Sequence, residues 1–172
     1  MPAVQHVEPI VPRMTGSESQ VMWSMVEYCR SVMLLKCQNL SDDELKRRAS
    51  PPSQLCLLGL VRHLSKVEHY WFQQCFLGHN EDFLYSSAEH PNADFDELDS
   101  HDVSEVIQRY ADVCAESQRV ARCHTLDELA ARQRHGSDVN LRYIGAHMIE
   151  EYARHLGHAD LLREGIDGST GG

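Results

Sequence analysis

The sequence predicts an all-α protein built as a four-helix bundle, and three observations carry that prediction. The chain has 172 residues, 42% hydrophobic and 24% charged, an ordinary globular composition at a length that favours one domain with a sizeable core. Four segments, each about 20 residues, place apolar side chains at steps of three and four, the period of an amphipathic helix. No segment alternates apolar and polar residues as a half-buried strand does, and no internal repeat or low-complexity block competes.

Residues 1–16 carry three prolines and no apolar run flanked by basic residues, so they read as an extended N-terminal segment and not as a signal peptide. The first helix follows from Ser17 to Cys37, with Val21, Met25, Tyr28, Val32 and Leu35 on one face. Ser41 and Glu44 fit a capping box that opens a short helical turn, which Pro51-Pro52 ends. From Gln54 to about Phe76, Leu57, Leu60, Val61, Leu64, Val67 and Trp71 recur at helical spacing until Gly78. Gly78 to His101 has no Lys or Arg and no clear period, and reads as a long acidic loop between helices two and three, with Phe83, Tyr85 and Phe95 as anchors. The third helix spans Asp102 to about Ala121, and Thr125 to Glu128 forms a second capping box expected to open a short turn. The fourth runs from about Val139, with Asp138 as N-cap, to Glu164, with Gly165 as its stop. The bundle thus occupies 17–165, and the Gly/Ser-rich 166–172 is expected to be a flexible tail.

Sixteen Lys+Arg against 26 Asp+Glu give a formal charge of -10, a field that repels nucleic acid. The longest apolar stretch, Leu55 to Val61, falls far short of the roughly 20 residues that span a bilayer, so no membrane partner is expected and the cytoplasm is the expected location. The six cysteines form no Cys-Xaa2-Cys pair and are expected to be reduced thiols. Signatures of serine hydrolases, zincins and phosphate-binding loops are absent.

The informative residues are polar ones on an apolar face. In the fourth helix, His147, Glu151, His155 and His158 share the stripe of Leu141, Ile144, Met148, Ala159 and Leu162. Burying an unpaired carboxylate costs several kcal/mol (order of magnitude,), so Glu151 must be protonated, ion-paired or bound to a cation. His63 sits at the edge of the second helix's stripe, where it can reach a facing helix. A single buried histidine is more often a hydrogen-bonded core residue, and Glu-Xaa3-His within one helix is more often a simple pair. Together, His63, Glu151 and His155 make a set of two imidazoles and one carboxylate, the kind that leaves a catalytic zinc an open position. Glu68, His147 and His158 are candidate second-layer groups for orienting ligands or moving a proton, and Arg142 and Arg154 are candidates for holding an anionic ligand. Each has a plainer alternative in hydrogen bonding or surface ion pairing, as between Arg154 and Glu150.

Two stretches carry a family resemblance. Leu58 to Leu64 with Glu68 and Tyr70-Trp71-Phe72, followed by His147 to Asp160, resemble the actinobacterial branch of the DinB-like superfamily. That branch includes mycothiol-dependent maleylpyruvate isomerase and the mycothiol and bacillithiol S-transferases. The resemblance covers nearly the whole chain and implies a four-helix bundle, a homodimer in many members, and a divalent metal bound by one residue of the second helix and two residues four apart on the last. Carried over position by position, the ligands are His63, Glu151 and His155. It further implies a metal-dependent S-transferase in which zinc, or nickel, iron or manganese, activates a low-molecular-weight thiol such as mycothiol for attack on an electrophilic small molecule. Two alternatives stand beside this: a hydrolase or isomerase working through a metal-bound water, and a non-catalytic metal-binding bundle.

Overall fold

The computed structural model describes residues 2–171, which are helical with no strand among them. Residues 2–16 run extended along the first helix, α1 (Glu18–Cys37), tied to it where the amides of Val7, Ile10 and Arg13 donate to side chains of Gln38, Ser31 and Ser24. Ser17 caps α1 through a capping box with Gln20, and the Ser41/Glu44 box opens α2 (Asp42–Lys46) as its spacing predicts.

The predicted second helix starts three residues late, at Leu57, and changes character midway. Residues 53–56 are non-helical, and the Cys56 Sγ accepts from the Gly59 amide at the start of α3 (Leu57–His69). The helix then continues as a π-helical stretch over Tyr70–Phe76. The wider π turn rotates the following side chains relative to an α-helix, and its last carbonyls do not go unpaired: Cys75 and Phe76 accept from the amides of Arg132 and Ala131.

Within the acidic segment lies a turn that periodicity could not reveal, α4 (Ala93–Asp96). It is followed by α5 (Val103–Cys123). Thr125 to Glu128 opens no helix: Glu128 reaches back to the Thr125 amide, but the chain then pairs Leu129 with Asn140 and Arg134 with Ser137 as isolated bridges. The last helix, α6 (Leu141–Asp167), is capped by Asn140, not Asp138, whose carboxylate instead accepts from Gln133. Nor does α6 stop at Gly165. A Cβ there would lie 2.6 Å from the Ala49 carbonyl oxygen, so Gly165 serves close packing, and the left-handed Gly168 (φ 78) ends the helix.

α1 packs on α6, and α3 packs on α5 and α6. Met33, Leu57, Leu60, Leu64, Phe72, Ile144, Met148 and Leu162 are buried in one continuous core, each contributing roughly 1.5–3 kcal/mol by transfer from water. Through this core runs one charged network: Arg30 donates from Nε and Nη2 to the two oxygens of Glu68, each at 2.7 Å, and the Tyr152 hydroxyl donates to Glu68 at 3.0 Å. Among the described residues no helix is long and apolar enough to cross a membrane.

Candidate metal centre

Glu151 and His155 stand one turn apart on α6, about 6 Å along its axis, on the face that also carries the buried Ile144 and Met148. α3 passes alongside and delivers His63. The Glu151 Oε1 lies 3.1 Å from the His63 Nε2 and 3.3 Å from the His155 Nε2, and all three ligand atoms fall within 4.8 Å of one another. Both α6 residues are only 9% exposed. The hydrogen bonds from His155 and His63 outweigh burial and hold the Glu151 carboxyl well below the ordinary carboxylate range.

These residues fit a divalent cation. Ligand atoms about 2.0–2.1 Å from a tetrahedral zinc stand about 3.3 Å apart, close to the 3.1 and 3.3 Å that separate the carboxylate oxygen from the two imidazole nitrogens. Two neutral imidazoles and one carboxylate also leave a dication with net positive charge and room for a further ligand.

One partner of this cluster was invisible in the sequence. The His63 Nδ1 lies 2.9 Å from the Asp94 Oδ2, which also takes the Lys66 ammonium at 2.5 Å. Burial pushes the Asp94 carboxyl up, but hydrogen bonds from His63 and Lys66 overcome it and leave the group more acidic than usual. Burial likewise favours neutral His63, yet its bonds to Asp94 and Glu151 prevail and raise it above the ordinary 6.5. Asp94 gave no signal because it lies among many acidic residues of a segment without helical period. What marks it is its neighbour Phe95, whose ring packs 5.3 Å from that of His63.

Glu151 also lines a cleft of about 580 Å³, within the usual range for small-molecule sites. Tyr70, Trp71, Phe83 and Tyr143 supply aromatic walls, and the cations at its edge are Lys66 and Arg134. The Arg134 guanidinium lies over the Tyr70 ring at 5.4 Å and near Trp71 at 6.0 Å. The π-helical stretch is what carries Tyr70 and Trp71.

The remaining residues singled out from the sequence divide by place. His147 lines the cleft, edge-on to Trp71 at 4.9 Å and stacked on Tyr143. His158 lies beside the cluster, its Nδ1 3.4 Å from that of His155, and burial, then the charges of His155 and Arg154, lowers its pKa. Glu68 is not brought to the cluster: its hydrogen bonds go to Arg30 and Tyr152 in the core. Arg142 pairs with Glu18 and Asp127, Arg154 pairs with Glu150, and neither lines the cleft.

No curated protein matches the chain. The family model described as Mycothiol-S-transferase matches residues 21–168, a span that takes in most of α1, the cluster, the cleft and all of α6. By that match over most of its length, the chain belongs to the mycothiol S-transferase family.

Proposed function

We propose that the four long helices form a four-helix bundle of the DinB-like kind and that the protein is a metal-dependent thiol S-transferase, with His63, Glu151 and His155 holding a divalent cation, zinc by the chemistry of its ligands. The observation that carries this reading is that Glu151 belongs both to the ligand cluster and to the wall of the aromatic cleft, so the cluster opens where a small molecule can bind. When bound, the cation supplies the positive charge that favours the thiolate form of an incoming thiol at neutral pH. The chain's own residues do the rest. Tyr70, Trp71 and Tyr143 sandwich the electrophile and exclude water. His147, on the same wall, takes up the thiol proton and can pass it to the leaving group as the carbon–sulfur bond forms and the bond to the leaving group breaks. Arg134 holds negative charge on either substrate.

The test is turnover of an electrophilic dye with and without mycothiol, in protein loaded with zinc and in Glu151→Gln. Product as the mycothiol thioether, formed by the parent and lost in the variant, is the expected result. Turnover that proceeds equally without thiol would reassign the centre to hydrolysis, and no turnover with zinc bound would leave a metal-binding bundle.

A further inference from the structure

Among the carboxylates of the acidic segment 78–101, Asp94 alone is buried, at 1% exposure, and helix α3 is built to receive it. Within five residues α3 directs three polar groups at this segment: Arg62 donates to the Glu97 carbonyl and the Ser100 hydroxyl, His63 and Lys66 both meet Asp94. One turn earlier, Gly59 clears the approach. A Cβ at that position would lie 2.8 Å from the Phe95 Cδ1, so a glycine is what lets α4 settle against α3 with Asp94 above His63.

We propose that Asp94 is a positioning residue for the metal centre: it fixes His63 through Nδ1, leaving Nε2 to face Glu151 and His155, and this makes the acidic segment part of the centre. The inference rests on the metal reading above. Its physical basis is donor and acceptor capacity. Both ring nitrogens of His63 meet carboxylates, but only Nε2 faces the cluster shared with His155; an ionised carboxylate only accepts, so when Nε2 takes a cation the remaining hydrogen sits on Nδ1 and is donated to Asp94 at 2.9 Å. Nε2 is the nitrogen 3.1 Å from Glu151. Carboxylates bonded to metal-ligating imidazoles in this way orient the ring and raise its basicity. Lys66 completes the arrangement by neutralising Asp94, so the centre does not acquire the full repulsion of a second buried anion. A mere docking contact for the segment would need the Lys66 pair alone and would place no demand on the imidazole.

The experiment is zinc affinity, measured against a competing chelator, for the parent, Asp94→Ala and Asp94→Asn, with proton NMR of the zinc-loaded proteins. Circular dichroism checks that each variant keeps its helices. Asp94→Ala is expected to bind zinc about 10–100-fold more weakly and to lose the exchange-protected Nδ1–H resonance of His63. Asp94→Asn keeps the size and an acceptor oxygen, so it is expected to weaken binding less, keep the resonance and shift it; this variant alone decides the matter if alanine prevents folding. Parent-like affinity, within twofold, or an unmoved resonance in the variants overturns the proposal while leaving the metal reading intact. A parent that binds no zinc overturns both.

Discussion

Glu68 is where sequence and structure suggest different work for one residue, and its removal discriminates between them. Read from the sequence it is a candidate for moving a proton near the metal; in the fold it is completely buried and chelated by Arg30. In Glu68→Ala, the Arg30 guanidinium, itself 5% exposed, keeps only Glu27 as a carboxylate partner, and the Tyr152 hydroxyl loses its carboxylate acceptor. Breaking a buried ion pair from one side costs about 3–5 kcal/mol. For a domain of this size each kcal/mol lowers Tm by roughly 2–4 °C, so the expected loss is on the order of 10 °C. Replacing both partners, as in Arg30→Met/Glu68→Leu, removes the desolvated charges together and is expected to recover most of it. Thermal unfolding followed by circular dichroism, with zinc affinity measured in parallel, reads both effects: Tm falls and affinity stays within about threefold. A Glu68→Ala protein as stable as the parent but unable to turn over substrate would refute this reasoning and restore Glu68 to the chemistry.

Three further outcomes are expected. In metal-free protein the His63 pairing contributes fully below the ordinary 6.5 and is lost as pH rises through its elevated value, whereas Glu151, held low, gives up its contribution only in strong acid; zinc, which needs neutral imidazoles, should therefore add a Tm increment that grows from about pH 5.5 to 8, and an increment that shrinks over that range contradicts the ligand set. Gly59→Ala, which touches no ligand, should displace Phe95, weaken zinc binding and speed proteolysis within residues 84–100, because its Cβ meets that ring at 2.8 Å; unchanged cleavage would show that α4 yields at no cost. Gly157→Ala meets nothing within 4 Å and should stabilise α6 by about 0.5–1 kcal/mol, while Gly165→Ala, 2.6 Å from a backbone oxygen, should cost about 1–3 kcal/mol by overpacking; denaturation midpoints that move the same way for both would negate the packing argument.

The four long helices were legible because each buries one stripe, and a stripe is a pattern in the sequence. The three converging side chains were legible for the same reason: Glu151 and His155 are polar where Ile144, Met148 and Ala159 set an apolar face, and His63 interrupts Leu60 and Leu64. Helix ends were read less well. Asp138 and Gly165 have the right side chains for a cap and a stop, but Asn140 and Gly168 take those places because pairing of Leu129 with Asn140 and the approach of Ala49 are decided by distant parts of the chain. The π-helical stretch, α4 and Asp94 were not legible at all. A stretch of seven residues and a turn of four have no period to detect, and Asp94 differs from the other acidic residues of its segment only in what surrounds it.

Two of the buried carboxylates, Glu68 and Glu151, show on the proposed reading how the fold separates structure from chemistry. Glu68 on α3 and Glu151 on α6 both lie among apolar residues and both face two nitrogens, the Arg30 pair at 2.7 Å each and the His63 and His155 Nε2 at 3.1 and 3.3 Å. Their partners differ in one property. Arg30 keeps its charge at every pH the fold survives, so it never offers Glu68's surroundings a lone pair, and the pair holds helices together. The partners of Glu151 are imidazoles, which can lose a proton and turn a donor into a lone pair. On the metal reading proposed above, the imidazoles that face Glu151 would each turn a lone pair to a cation when one binds. Tyr152, next to Glu151 in sequence, marks the division, since its hydroxyl reaches back to Glu68 while Glu151 faces the cleft. On this argument Arg30→His, by giving Glu68 an ionisable partner, loosens the core as pH rises, whereas His155→Arg keeps Glu151 paired and abolishes zinc binding; a His155→Arg protein that still binds zinc would show that charge exchange between the two sites is not what sets their roles.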